Sequence, residues 1–143
     1  MAAKELLQQI ASEFLADQEL RTFCLAMGGR ELKVVISHRN RAEIGSDELP
    51  LILLSSPSTR RVRDYGEVSQ ERTIRLFAGF YQPEPLLGAL GLVEFEEQIS
   101  AAIERMDLAG LGNLIEPLAS INDEGSYQPN YFTAGEFTVS VNT

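Results

Sequence analysis

The chain has 143 residues, a length at which one domain buries roughly 68–70% of the surface its unfolded form exposes, so a full hydrophobic core is within reach. Hydrophobic residues make up 44% and charged residues 23%, which argues against wholesale disorder and against a fibrous architecture. Twelve Lys and Arg stand against 21 Asp and Glu, and the net charge of -9 opposes sequence-independent binding to the outside of DNA or to anionic membranes.

From the N-terminus, Leu6, Leu7, Ile10, Phe14 and Leu15 recur at helical spacing, with Glu5, Gln8, Gln9, Ser12 and Glu13 on the other face. This is an amphipathic helix whose interleaved polar residues differ from the continuous apolar stretch of a signal peptide. Residues 17–27 either extend it or form a second turn before Gly28-Gly29 ends the helical region. Within it, the single cysteine, Cys24, sits between Phe23 and Leu25 and reads as a buried reduced thiol, the expectation for assembly in the cytosol.

Leu32 to Ser37 is rich in β-branched residues and Leu51 to Ser55 is a short apolar run between Pro50 and Pro57; both read as strands. Apolar runs such as Leu51-Ile52-Leu53-Leu54 are far short of the roughly 20 residues that span a bilayer. Ser56 to Gln70 has no apolar periodicity and predicts a long loop or an extended hairpin tip. From Arg72 to Tyr81, Ile74, Leu76, Ala78 and Phe80 share one face while Thr73, Arg75, Phe77 and Tyr81 share the other, the pattern of a strand.

Pro83 and Pro85 stop that strand, and Leu92, Phe95, Ile99, Ile103 and Met106 then mark the core face of the main helix. Gly110-Leu111-Gly112 reads as helix termination and a tight connection. Asn113 to Asp123, interrupted by Pro117, suits an edge strand, and Asn122-Asp123-Glu124-Gly125 a turn. Phe137, Val139 and Val141 alternate with polar residues in a closing strand. The order α, β, β, loop, β, α, β, β, with neither an internal repeat nor a linker, predicts one α+β domain over residues 1–143.

Catalytic constellations are sparse. The only histidine, His38, lies in Ser37-His38-Arg39 without a nucleophile or base beside it, and reads as a polar residue at a strand end. One Cys and one His leave only an all-carboxylate metal site, and Asp107, Asp123 and Glu124 do not form an EF-hand pattern. Glu94, Glu96, Glu97 and Glu104 read as solvated helix charge. The glycines give no phosphate-binding fingerprint. The expectation is a protein without catalytic residues, cofactor or metal. The exception is Arg60, Arg61 and Arg63 beside Tyr65, the densest positive cluster of an acidic chain: either a solvated loop that repels aggregation, or a docking loop for an acidic partner.

The element order resembles the tail terminator and minor tail proteins of long-tailed phages, the lambda minor tail protein U type, over nearly the whole chain. The resemblance rests on the N-terminal helix, the Glu48-Leu49-Pro50-Leu51-Ile52-Leu53 lead-in to a strand, and the stretch Ser56 to Gln70. The strand Arg72 to Tyr81, the helix ending Ile103-Glu104-Arg105-Met106 and the closing strand Tyr131 to Val141 complete it.

The resemblance implies a mixed, mainly antiparallel sheet of about five strands flanked by the N-terminal helix and one main central helix. It also implies a hexameric ring of copies of the chain, in the host cytoplasm during assembly and in the virion tail afterwards. Such a ring stops growth of the tail tube, meets tail-tube protein on one side and head connector proteins on the other, and lets DNA pass through its lumen without sequence-specific binding. An acidic lumen suits that passage, because phosphate repulsion limits sticking. Two other readings stand beside it: a head-tail joining protein of the same fold, and a small-molecule-binding domain or enzyme built from His38, Asp47, Arg63 and Tyr65.

Overall fold

A computed structural model describes residues 3–37, 44–64, 66–122 and 128–141. Three helices pack on a five-stranded mixed sheet, an α+β fold as the sequence predicts. The elements in order are α1 (Ala3–Ala16), α2 (Gln18–Gly28), β1 (Lys33–Ile36), β2 (Leu51–Asp64), β3 (Glu67–Tyr81), α3 (Pro85–Arg105), β4 (Gly112–Asn122) and β5 (Asn130–Val141). A short 3-10 turn at Ser46–Glu48 precedes β2. Across the sheet the order is β1-β2-β3-β5-β4, parallel between β1 and β2 and antiparallel elsewhere.

The sheet's layering follows from the alternation within β3. Ile74, Leu76, Ala78 and Phe80 are buried on the face that the helices cover. Ile52 and Leu54 of β2 and Tyr131, Phe137, Val139 and Val141 of β5 join them there, under Leu6, Ile10 and Phe14 of α1 and Leu92, Phe95, Ile99 and Ile103 of α3. The other face carries a smaller cluster of Ile44, Leu49, Leu51, Leu53 and Phe132, with Phe77 stacked on Phe132 at 5.1 Å between ring centroids. Gly79, which pairs with Phe132, leaves the space that this ring occupies.

The helical region splits where the sequence left two options open. Asp17 accepts a hydrogen bond from the Leu20 backbone N–H at 3.0 Å and so caps a separate α2. Gly29, at φ 71°, closes that helix in the left-handed region, its N–H bonded to the Leu25 carbonyl. Cys24 is buried, and burial pushes its thiol up to about 12.

Of the two options for Ser56 to Gln70, the structure shows the extended hairpin and not the long loop: β2 and β3 pair in a register that runs to Asp64 opposite Glu67. One expectation needs correction: α3 ends at Arg105 with Met106 as its cap, so Gly110 (φ 78°) belongs to a turn further on and does not terminate the helix. Pro117 does lie on an edge strand, β4, within the second of two shifts of register. The predicted turn at 122–125 extends into residues outside those described.

α3 approaches the sheet closely because two of its inward positions are glycines. A Cβ at Gly88 would overlap the ring of Tyr131, and one at Gly91 would press on Met27 and Phe80. The Tyr131 ring in turn stacks on Phe80 at 5.6 Å. Gly88→Ala is therefore expected to destabilise the fold by about 1–3 kcal/mol through overpacking, against a helix-propensity gain of about 1 kcal/mol. Urea denaturation at neutral pH checks this; an unchanged or raised midpoint would mean that α3 does not sit this close.

Candidate functional site

The hairpin is the feature that departs most from a plain layered domain. β1 pairs with β2 only over Leu51 to Leu54, and β5 pairs with β3 only from Tyr81 to Gln70. From Ser55 onward the outer edge of β2 has no strand beside it among the described residues, and this free-edged part of the hairpin forms an arm; β3 stays paired with β5 as far as Gln70, opposite Arg61, and only residues 62–64 and 67–69 run on as two strands alone. The root of the arm is a register shift between Ser55 and Ser58. There the Ser56 hydroxyl donates to the Thr73 carbonyl at 3.2 Å and accepts from Arg72 at 3.0 Å, tying the irregularity into the ladder.

Arg60, Arg61 and Arg63 stand on this arm and are exposed. They pair in register with Glu71, Gln70 and Val68, so strand alternation places Arg61 and Arg63 on the helix side of the arm and Arg60 on the opposite side. The cluster is thus spread over both faces of β2 along its free edge and is not a one-sided patch. None of the three side chains forms an ion pair or hydrogen bond among the described residues. Tyr65, the fourth member of the predicted docking loop, lies outside the described residues.

A second surface lies on α3 and has no counterpart in the sequence reading. Leu86 is 72% exposed, Leu90 58% and Val93 49%; with Glu97 they fall at positions i, i+4, i+7 and i+11, a single line along the outside of the helix. Leu87, 51% exposed, lies beside that line against a shallow cleft that Phe23, Ala26, Met27, Gln82 and Glu94 help to form. Exposed Glu84, Glu94 and Glu97 rim the apolar residues, and none of them is ion-paired among the described residues. Glu96 departs from its expected role as solvated charge: its carboxylate accepts a hydrogen bond from the buried Thr133 hydroxyl at 2.8 Å.

The far end of α3 is clamped to the α1–α2 corner. The Arg105 guanidinium donates to both Asp17 carboxylate oxygens, at 2.7 to 3.1 Å, and reaches Glu19 at 3.2 Å. Just beyond it, the Gln9 amide donates to the Asp107 carbonyl and the Asp107 N–H donates to the Glu13 carboxylate. These contacts fix the axial position of α3 and with it the outward direction of its leucines.

Of the residues expected for a small-molecule site, the two described ones, Asp47 and Arg63, are not brought together. Asp47 lies in the turn before β2 and Arg63 near the end of that strand, a separation of roughly 40 Å along the chain direction. His38 and Tyr65 lie outside the described residues. A cleft of about 380 Å³ lies between the end of α3 and β4 and is lined in part by Glu104, Asp107, Leu114 and Val139, none of which belongs to that set. Among the described residues, no group of three or more His, Cys, Asp and Glu is placed to hold a metal ion, and no helix is long and apolar enough to cross a membrane.

No protein-family model matches the chain, and no curated protein matches it either.

The clamp yields a pH signature. Burial acts to raise the pKa of the Asp17 carboxyl, but hydrogen bonds from Arg105 and Leu20 and the charge of Arg105 outweigh it and hold the group below its ordinary 3.8. A depressed folded-state pKa means that the stabilisation is fully present above about 3.8 and is lost as pH falls through the lower folded value. Asp17→Ala should cost about 1–2 kcal/mol at pH 7 through loss of the α2 cap. Denaturation at pH 7 and near pH 2 should show the gap to wild type narrowing in acid; a gap independent of pH would remove the charged clamp from this account.

Proposed function

We propose that this chain is a structural tail protein of a phage or prophage: it forms a ring, terminates tail-tube polymerisation and presents the surface to which the head attaches. The observation that carries this reading is the arm. The hairpin of β2 and β3 runs on past β1 with an outer edge that is unpaired among the described residues, and it carries three exposed arginines whose side chains have no partner among those residues, on a chain of net charge -9. An exposed strand edge is an aggregation hazard that proteins keep short, charged or covered. Arginines guard this one, and a neighbouring subunit in a closed ring is what covers it.

The acidic remainder fits the same role. Subunits carrying excess negative charge make a lumen to which passing DNA does not adhere, while the opposite charge on the arms holds neighbours together. The ring is proposed to be hexameric, with tail-tube protein and head connector proteins on its two sides.

Sedimentation of the purified chain, alone and with a polymerising tail-tube protein, tests this. The expected outcome is a discrete closed oligomer in at least one of the two conditions, together with tubes that stop growing once capped. A chain that stays monomeric in both and leaves tube length unchanged would overturn the proposal.

A further inference from the structure

We propose that the arginine arm of one copy of this chain seats on the acid-rimmed apolar face of α3 in the next copy, an inference that rests on the ring reading above. Leu86, Leu87, Leu90 and Val93 form a contiguous exposed patch on two turns of one helix, and patches of this kind on soluble proteins mark contact sites. The rim of Glu84, Glu94 and Glu97 selects a cationic occupant, because these carboxylates have no cationic partner among the described residues.

Among the described residues, the arm is the one place where cations without a partner cluster; Lys4 and Arg21 are also exposed and unpartnered but stand singly. Arg72 is bonded to Ser56, Arg75 to Glu136, Arg105 to Asp17 and Glu19, and Arg30 to the Ser46 carbonyl. The side chains of Arg60, Arg61 and Arg63 are not so engaged among the described residues, and all three are exposed. Arginine suits the task, since its aliphatic stem covers leucine while its planar head meets carboxylate at the edge.

The contact cannot close within one copy. The apolar patch occupies the first two turns of α3, beside Tyr81 and Tyr131, whereas Arg60 and Arg63 pair with Glu71 and Val68 toward the other end of β3, roughly 20–30 Å from Val93 along the strand direction. Two complementary surfaces at opposite ends of one subunit join head to tail, and a head-to-tail contact closes into a ring when the rotation between copies permits.

Reciprocal charge reversal tests this. One variant carries Arg60→Glu, Arg61→Glu and Arg63→Glu; the other carries Glu94→Arg and Glu97→Arg. All five sites are exposed, and thermal melting of each variant against wild type verifies the fold. Each variant alone is expected to need at least a tenfold higher concentration to assemble. An equimolar mixture should recover the wild-type threshold, since each reversed arm then meets a reversed rim. Leu90→Arg, which places charge inside the patch, should block assembly even in the mixture.

Rings of wild-type stability from either variant, or a mixture that stays disassembled, would overturn the inference while leaving the ring reading intact. A wild-type chain that forms no ring with or without tube protein would overturn both.

Discussion

The fold depends on the alternation of β3. Because Ile74, Leu76, Ala78 and Phe80 all face the helices, the strand binds its neighbours at its edges and the helical layer through one set of side chains. A shift of one residue would turn those four outward and bring Arg75 and Phe77 under α3. The register is held from both sides: Tyr131 of β5 wedges into the space left by Gly88, and Phe132 covers Gly79. With 15 residues, at about 3.3 Å each, β3 is some 50 Å long. Its length past the core is what makes the arm, so the arm is the continuation of the best-anchored strand in the molecule and not an appended loop.

The sequence revealed the elements where a core imposes a pattern on them. β3, β5 and the core stripe of α3 could be read because one face of each is buried, and burial writes a period of two or of 3.6 into the residues. The arm could not be read in the same way. Both faces of Ser58 to Arg63 meet solvent, so no apolar period survives, and Pro57, Ser58 and Gly66 add the composition of a loop. The α1–α2 break had a legible signal in Asp17, a side chain suited to an N-cap three residues before Leu20.

The α3 surface was hidden for the opposite reason. Leu86, Leu87, Leu90, Leu92 and Val93 give more apolar residues than one helix face can bury, and such a run reads as core until the structure shows that only Leu92 is inside. Glu96 was obscured by its neighbours: one of four similar glutamates reaches a buried threonine, and nothing in the spacing singles it out. Arg60, Arg61 and Arg63 are exposed, and their distribution over both faces of β2 required knowledge of the strand.

The proposed account thus comes down to two surfaces that the fold itself leaves unsatisfied, one cationic and one apolar with an acidic rim, held at fixed separation by a rigid strand and a clamped helix. Hydrogen exchange read by mass spectrometry, on the dispersed chain and on its assembled form, tests this most directly. The account predicts that protection gained on assembly concentrates in residues 58–64 and in 86–94. Protection gained elsewhere, with both of these segments unchanged, would contradict it.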